Sequence, residues 1–446
     1  MKVVFSTRFL RHLCHSEFLV VAYLRNDQTM TLKESSLNPS TAPQEPVAPL
    51  KGIKVLDFTH VLAGPFCSRL LADFGADVVR VESTKHPDRW GKGIKKPGFE
   101  SQQDRQASYL NTNRSKRSIC IDLKNTAGRD LAARLAVVAD VVLENFSAGV
   151  MERLKLDYDS LQPLNPRLIH TSMSGYGHSG PRRDWTSMNF NLQGYSGLMM
   201  LTGSESDPPI GISNSWNDYV GGLHAGFAIV QALEKRSKTG VGCRLDVSQF
   251  ECSVATVGAM LLYSAVNGTS PPRLGNRSRR FAPQGVYRCA GDDQWCAISV
   301  QNDEQWRALL TGMGNPSWAD ETRFATPLGR VRCHDEIDEH LREWTLKLTH
   351  TEVETRLQQV GVPAERMRRI QDVIDSPDGS GVFKTMEEPR VGAMCITWLP
   401  LGFSSGPWPA PESAPSLGQH TNEVLRRWLN LSDREIQELE ARQALV

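Results

Sequence analysis

Three groups of residues in this sequence have the types and spacing that chemistry needs. The first is Gly175-Tyr176-Gly177-His178-Ser179-Gly180-Pro181, followed by Arg182, Arg183, Asp184 and Trp185, and then by Met188-Asn189-Phe190 and Gly194-Tyr195-Ser196-Gly197. It comes directly after residues 167–173, which read as a short buried strand. Backbone that opens out at the end of such a strand is where open α/β sheets keep their ligands. The second is Asp218, in the first turn of a predicted helix, where a carboxylate meets the positive end of the helix dipole; taken alone it reads as a plain helix-end acid. The third is a basic run over residues 83–117, with Lys85, Arg89, Lys92, Lys95, Lys96, Arg114, Lys116 and Arg117. It is either a solvated face or a holder for the phosphates of a small ligand.

Gly175, Gly177 and Gly180 spell G-x-G-x-x-G, the dinucleotide fingerprint. That pattern works only where a helix follows at once and offers free N–H groups to a pyrophosphate. Here Pro181, two arginines, Asp184 and Trp185 follow without an apolar helical period, so the match is accidental.

The elements that would position these groups alternate. Lys54-Val55-Leu56-Asp57-Phe58-Thr59 is a buried strand, His60-Val61-Leu62-Ala63-Gly64-Pro65 a turn, and residues 66–74 a short helix with Leu70 and Leu71 inward. Gly75 closes the helix as a C-cap, and Asp77-Val78-Val79-Arg80-Val81-Glu82 is the next strand, which makes a βαβ unit. Helix and strand recur at 126–139, with Leu131, Leu135 and Val138 on one face, and at 140–146. A long helix runs from Asn217 to Lys238, with Leu223, Phe227, Val230 and Leu233 in period and Gly240 as the stop. Residues 244–248 then lead into a second helix ending near Leu262. This alternation predicts a doubly wound parallel sheet. A Gly/Pro/Arg-rich linker at 266–283 precedes two antiparallel strands, 285–289 and 294–300, around Gly291-Asp292-Asp293. Helices near 304–313, 334–347 and 351–359 follow, and an amphipathic helix pair closes the sequence.

The expected fold is therefore α/β, with a doubly wound parallel-sheet large domain split in sequence plus a smaller α+β domain. Residues 1–49 read as a disordered or targeting tail, 50–265 as the large domain, 266–283 as the linker, 284–385 as the small domain and 386–446 as a return segment completing the large one. The formal net charge of +1 gives no electrostatic case for nucleic acid or an anionic membrane. Nine scattered cysteines, without a C-x-x-C pair or a His/Cys cluster at metal spacing, point to reduced buried thiols and no metal site. No apolar run reaches the ~18–20 residues of a membrane span. The expected location is cytoplasmic, or mitochondrial if residues 1–29 are a transit segment.

From about residue 50 onward the chain resembles the class III CoA-transferase family. The resemblance is carried, in the family's order, by residues 57–65, by 72–82, by Asn113-Arg114-Ser115-Lys116-Arg117-Ser118 and by Glu144-Asn145-Phe146. Gly175-Tyr176-Gly177 with Gly180-Pro181, Ser196-Gly197-Leu198-Met199, Lys238-Thr239-Gly240 and Leu417-Gly418-Gln419-His420-Thr421 continue it. It implies two chains threaded as interlocked rings, a homodimer or a heterodimer with a related chain. It implies a coenzyme A thioester as substrate, together with a small carboxylic acid, and no permanently bound cofactor. CoA contacts would fall at His60, Val61, Leu62, Ala63, Asn145, Phe146, Arg153 and Tyr176. Where the family often has arginine this sequence has Ser83, so Lys85 or Arg89 would take over a phosphate.

The family's transferases carry a nucleophilic aspartate at the place where this chain has Asn189. A carboxylate can attack a thioester carbonyl and form a mixed anhydride, whereas a neutral amide is a very poor nucleophile. The related racemases use a histidine just before this position, where Met188 stands, and their second acid/base maps to Asp218. The resemblance thus implies a CoA transferase with Asn189 and Asp218 as its catalytic-site residues. The alternatives are an acyl-CoA isomerase, racemase or lyase using Asp218, or a subunit lacking its own nucleophile in a heteromeric transferase.

Overall fold

The computed structural model describes residues 45–88, 107–376 and 382–446. Residues 1–44 of the expected tail, and Arg89, Lys92, Lys95 and Lys96, lie outside the described residues. The first part of the chain gives β1 (Lys54–Asp57), α1 (Ala63–Asp73), β2 (Asp77–Glu82), α2 (Ala107–Asn113), β3 (Arg117–Cys120), α3 (Thr126–Val137), β4 (Val141–Glu144), α4 (Val150–Leu154), α5 (Tyr158–Leu161), β5 (Ile169–Ser174), α6 (Asn189–Tyr195), α7 (Trp216–Thr239), β6 (Cys243–Ser248), α8 (Gln249–Thr256) and α9 (Gly258–Asn267). It continues with β7 (Gln284–Arg288), β8 (Trp295–Ser299), α10 (Asp303–Met313), α11 (Pro327–Arg332), α12 (His334–Thr345), α13 (His350–Gln359), β9 (Ala364–Arg366), α14 (Ile370–Asp375), β10 (Phe383–Glu388), β11 (Gly392–Thr397), α15 (Thr421–Leu429) and α16 (Asp433–Ala441).

The first six strands form one parallel sheet in the order β3-β2-β1-β4-β5-β6. Its central strands β1, β2 and β4 carry apolar residues on both faces, as a doubly covered parallel sheet requires. Leu56, Val79, Ile119 and Val142 face α3, α15 and α16, whereas Val55, Val78, Leu143 and Met173 face α1, α7 and α8. β7, β8 and β9 make a three-stranded antiparallel sheet with a separate core that includes Trp306, Leu341 and Leu357. β10 and β11 pair as a hairpin. The doubly wound α/β expectation holds.

Several details differ from the sequence reading. Residues 107–120 of the basic run form α2 and β3, and its described cations are mostly turned inward. Arg114 bonds Asp73 at 2.8 Å, and Lys116 is buried against Asp57 at 3.2 Å and Ser68 at 2.8 Å. Burial pulls the Lys116 ammonium down to about 8 against the attraction of Asp57. Asn113 links this pair to Arg80, accepting from both cations. Packed chain also begins slightly before Pro49, since the Val47 N–H donates to the Pro407 carbonyl. Val138 is exposed rather than inward. Along α7 the buried line is Val220, Ala225, Ile229, Ala232 and Leu233, while Leu223, Phe227 and Val230 of the apolar stripe face out. The helix after β6 breaks at Val257 into α8 and α9, which meet at 69°. No single helix among the described residues is long and apolar enough to cross a membrane.

Candidate active site

The sheet order reverses direction between β1 and β4, and at such a switch point the loops leaving the two strands part and open a crevice. The loop after β1 is Thr59-His60-Val61-Leu62, and the loop after β4 is Asn145-Phe146. Asn145 ties them together: its Oδ1 accepts from the His60 N–H at 2.8 Å and its Nδ2 donates to the His60 carbonyl at 2.8 Å. Both polar ends of the Asn145 side chain are therefore used by protein. Val61, β-branched, sits at φ +71°, a conformation that costs about 1–3 kcal/mol and persists only where surroundings impose it. Asp88 does so here, since its Oδ2 accepts from the Val61 N–H at 2.9 Å and from Arg80 at 2.8 Å.

If Asn145 acts as a clamp, Asn145→Ala should cost the ligand-free protein about 1–3 kcal/mol, the usual penalty for stranding buried polar groups. Urea unfolding of the ligand-free protein measures it. Unchanged ligand-free stability would return Asn145 to the role of a ligand contact.

Two cavities flank this crevice. The larger, about 470 Å³, lies over the ends of β4 and β5 and is lined by Val61, Leu62, Asn145, Phe146, Asn189 and Asp218, among others. The smaller, about 240 Å³, is lined by His60, Glu82, Asp122, Lys124, Leu154 and again Phe146. The Phe146 ring, 5.6 Å from the His60 ring, borders both.

Asn189 reaches the cavity because Gly175 lets the chain fold back over β5. A Cβ at Gly175 would lie 1.7 Å from Ser187 Oγ, so any other residue would push residues 185–189 away. Asn189 is the first residue of α6. Its Oδ1 accepts from Gln193 Nε2 at 3.1 Å and from the Asn217 N–H at 3.2 Å, and Asn217 Nδ2 returns a bond to the Asn189 carbonyl at 3.1 Å. Two donors on one atom fix the amide's orientation. Its Nδ2 is left without a protein acceptor among the described residues. Asp218 directly follows Asn217 and lines the same cavity. Burial raises its carboxyl to about 6, against a smaller opposing effect of its own backbone N–H.

The remaining expected contacts are dispersed. Ala63 is buried at the start of α1. Lys85 pairs with Asp122 at 2.6 Å, half exposed at the rim of the smaller cavity. Arg153 is exposed on α4, next to Leu154. The Tyr176 ring packs edge-on against Trp185 and Tyr195, each at 5.7 Å, and also meets Phe250. Asp184, an acid of the same turn, is 78% exposed beside Arg183. Sequence reading missed Lys124, Arg183 and Gln249 as lining residues. Lys124 follows a strand not recognised as one. Gln249 arrives only through the pairing of β5 with β6, which no local pattern encodes.

The two cavities meet at Phe146, beside the switch point of the doubly wound sheet. The structure superposes on that of a CAIB/BAIF family protein from Brucella suis with a TM-score of 0.78 and 32% identity, covering 85% of this chain and 99% of that one. The profile of CoA-transferase family III matches residues 50–421. The succinyl-CoA–D-citramalate CoA-transferase of Chloroflexus aurantiacus is 31% identical over 404 residues, 90% of this chain and 99% of that protein. The succinate–glutarate CoA-transferase of Agrobacterium fabrum is 33% identical over 386 residues, 84% of this chain and 95% of that protein. This chain belongs to CoA-transferase family III.

Proposed function

We propose that this chain is a CoA transferase that moves CoA between an acyl-CoA thioester and a small carboxylic acid, with Asp218 as the reacting carboxylate and Asn189 as the group that holds the thioester carbonyl. The observation that carries this reading is the shared cavity, where Asp218 is the carboxylate among the lining residues and the Asn189 amide N–H₂ is unclaimed. The nucleotide end of CoA lies in the smaller cavity, with Lys124 at its wall, and the chain passes Phe146 to bring the thioester into the larger one. The acids in the relatives' names, D-citramalate, succinate and glutarate, are small carboxylic acids of the proposed kind.

The chemistry balances without a co-reactant. An Asp218 oxygen adds to the thioester carbonyl carbon while Asn189 Nδ2–H donates to the developing oxyanion, an arrangement that stabilises charge as it forms. The C–S bond breaks and CoA thiolate leaves, giving an acyl–aspartyl anhydride. The thiolate then attacks the aspartyl carbonyl, releasing the first acid and leaving an aspartyl thioester. The second acid's carboxylate repeats the cycle in reverse and leaves as its CoA ester. A carboxyl at about 6 is mostly ionised at pH 7 yet more basic than an ordinary aspartate, which favours attack.

The test is exchange of isotopic label between acyl-CoA and free acid by the purified chain. Exchange, with an acyl-enzyme trapped by hydroxylamine, is the expected result. A carboxyl raised to about 6 also suits a general base, which supports proton transfer at the α-carbon as the second reading. Deuterium wash-in from solvent without exchange would select it.

The proposed assembly is an intertwined dimer, of two identical chains or with a related one. Its support is the apolar surface left on α7 and α9, where Phe227 is 67%, Leu262 65% and Val266 74% exposed. An interface of that kind buries well over ~2,000 Å². Light scattering at micromolar concentration should give twice the mass of one chain, and a monomer there overturns the assembly.

A further inference from the structure

Phe146 borders both cavities, and its peptide is held from two sides by side chains that the proposed chemistry does not use. Glu144, the last residue of β4, is fully buried, and its Oε2 accepts from the Phe146 N–H at 2.8 Å. His178 arrives from the loop after β5 with its side chain 3% exposed, and its Nε2 lies 3.2 Å from the Phe146 carbonyl oxygen. A carbonyl oxygen only accepts, so that nitrogen carries the proton and donates. The same Nε2 faces Glu144 Oε1 at 3.8 Å, and Oε1 makes no hydrogen bond among the described residues. Burial pushes the Glu144 carboxyl up, with His178 among the groups that oppose it. His178 is itself anchored. Gly177, at φ +81°, turns the chain back toward β4, and the His178 N–H donates to Asp246 of β6 at 2.9 Å. Three neighbouring strands, β4, β5 and β6, thus fix one peptide. A buried carboxylate and a buried imidazole are costly without partners. Here they share the N–H and the carbonyl of a residue that walls the site.

We infer that Glu144 and His178 are positioning residues for CoA, holding the Phe146 ring as a fixed divider between the two cavities. The pantetheine arm then meets a passage that is shaped before it binds. This rests on the proposed placement of CoA across both cavities and adds how the passage between them is set. A site ordered in advance gives up less freedom on binding, and the gain appears in affinity. Neither Glu144 nor His178 lines either cavity, so each acts through Phe146.

The experiment measures binding, so it does not depend on turnover. CoA and 3′-phospho-ADP, which is its nucleotide end without the arm, are titrated calorimetrically into the full chain. The same titrations follow with His178→Phe, Glu144→Leu and Glu144→Gln. His178→Phe removes the bond to the Phe146 carbonyl, keeps a ring in its place and leaves the backbone bond to Asp246 intact. The expected result is that His178→Phe and Glu144→Leu bind CoA roughly 3- to 10-fold weaker, the scale of one group left to be ordered on binding. Both should bind 3′-phospho-ADP as the native chain does. A general loosening of the fold would weaken both ligands, so the split between them is the readout. Glu144→Gln keeps an oxygen for the Phe146 N–H and should bind CoA close to the native value. Should Glu144→Leu fail to fold, His178→Phe gives the reading alone. Native CoA affinity in folded His178→Phe overturns the inference and leaves the CoA site standing. Equal loss of both ligands overturns it too, since the pair would then serve the fold. A Glu144→Gln protein as weak as Glu144→Leu overturns it for Glu144. Failure of the native chain to bind CoA or its nucleotide end sinks both the inference and the placement beneath it.

Discussion

Replacing Asn189 with aspartate is expected to move the covalent step from Asp218 to residue 189, giving up the amide's oxyanion contact, and to raise CoA transfer on the order of 10²-fold, the scale on which placement of a reacting group acts. The side chains are isosteric, and the two donors that hold Asn189 Oδ1, Gln193 Nε2 and the Asn217 N–H, would equally receive a carboxylate oxygen. The position is also the first of α6, where the free N–H groups favour negative charge. Hydroxylamine should then trap the acyl group on residue 189. A second carboxylate in the same cavity would also push Asp218 above its present value of about 6, because like charges resist ionising together. The rate–pH profile would shift accordingly. If Asn189→Asp leaves both the exchange rate and the trapped peptide as they were, position 189 is outside the reacting geometry.

Asp218→Asn should abolish label exchange and hydroxylamine trapping, because an amide is a very poor nucleophile; a loss of only ~10²–10⁴, the range of a positioned acid–base group, would select the proton-transfer reading. The substitution should also stabilise the protein. Burial raises the folded carboxyl to about 6 from an ordinary 3.8, so the ionised form is disfavoured by folding. Below pH 3.8 the group is protonated in both states and contributes no penalty. Between 3.8 and 6 the folded state binds the extra proton and stability falls as pH rises; above 6 the penalty is complete, on the order of 2–3 kcal/mol. The asparagine variant should therefore show a higher urea midpoint at pH 7.5 and none of that advantage at pH 3.5. In the native protein, activity that depends on the carboxylate should fade as pH drops through about 6. A variant that keeps full exchange activity removes Asp218 from the chemistry, whatever its stability.

Much of the sheet was legible because its central strands are short and apolar on both faces, so β1, β2 and β4 stand out as runs such as Val78-Val79 and Val141-Val142-Leu143. The turn after β1 and Asp218 at the head of α7 were legible for the same reason, since each sits at the edge of a clear element. The stretch from 107 to 120 was not. Lys116 and Arg114 look like solvated charge in sequence, yet their partners Asp57 and Asp73 are 59 and 41 residues away, and nothing local signals burial. The α7 stripe misled in the opposite sense: Leu223, Phe227 and Val230 have the spacing of a core face and lie on the outside. Periodicity reports that a face is apolar, and it cannot say what covers it. In the site, motif position led to Asn189 and to Asp218, whereas Arg183 and Gln249 were found only once the fold had gathered residues from four separate loops.

The cover of the sheet has a consequence for synthesis. Val424, Leu425, Trp428, Ile436 and Leu439 of α15 and α16 belong to the same core as Leu56, Val79 and Val142. Trp428 and Arg427 both bond Asp77 at the start of β2. β4 ends at Glu144 and α15 begins at Thr421. At ~5–20 residues per second a ribosome needs roughly 15–55 s to cover that interval. For that time the strands can pair, but the part of their face that waits for α15 and α16 stays open to water. The nascent chain therefore carries an unfinished apolar surface through most of its translation, a state that calls for a chaperone to hold it until the last helices emerge.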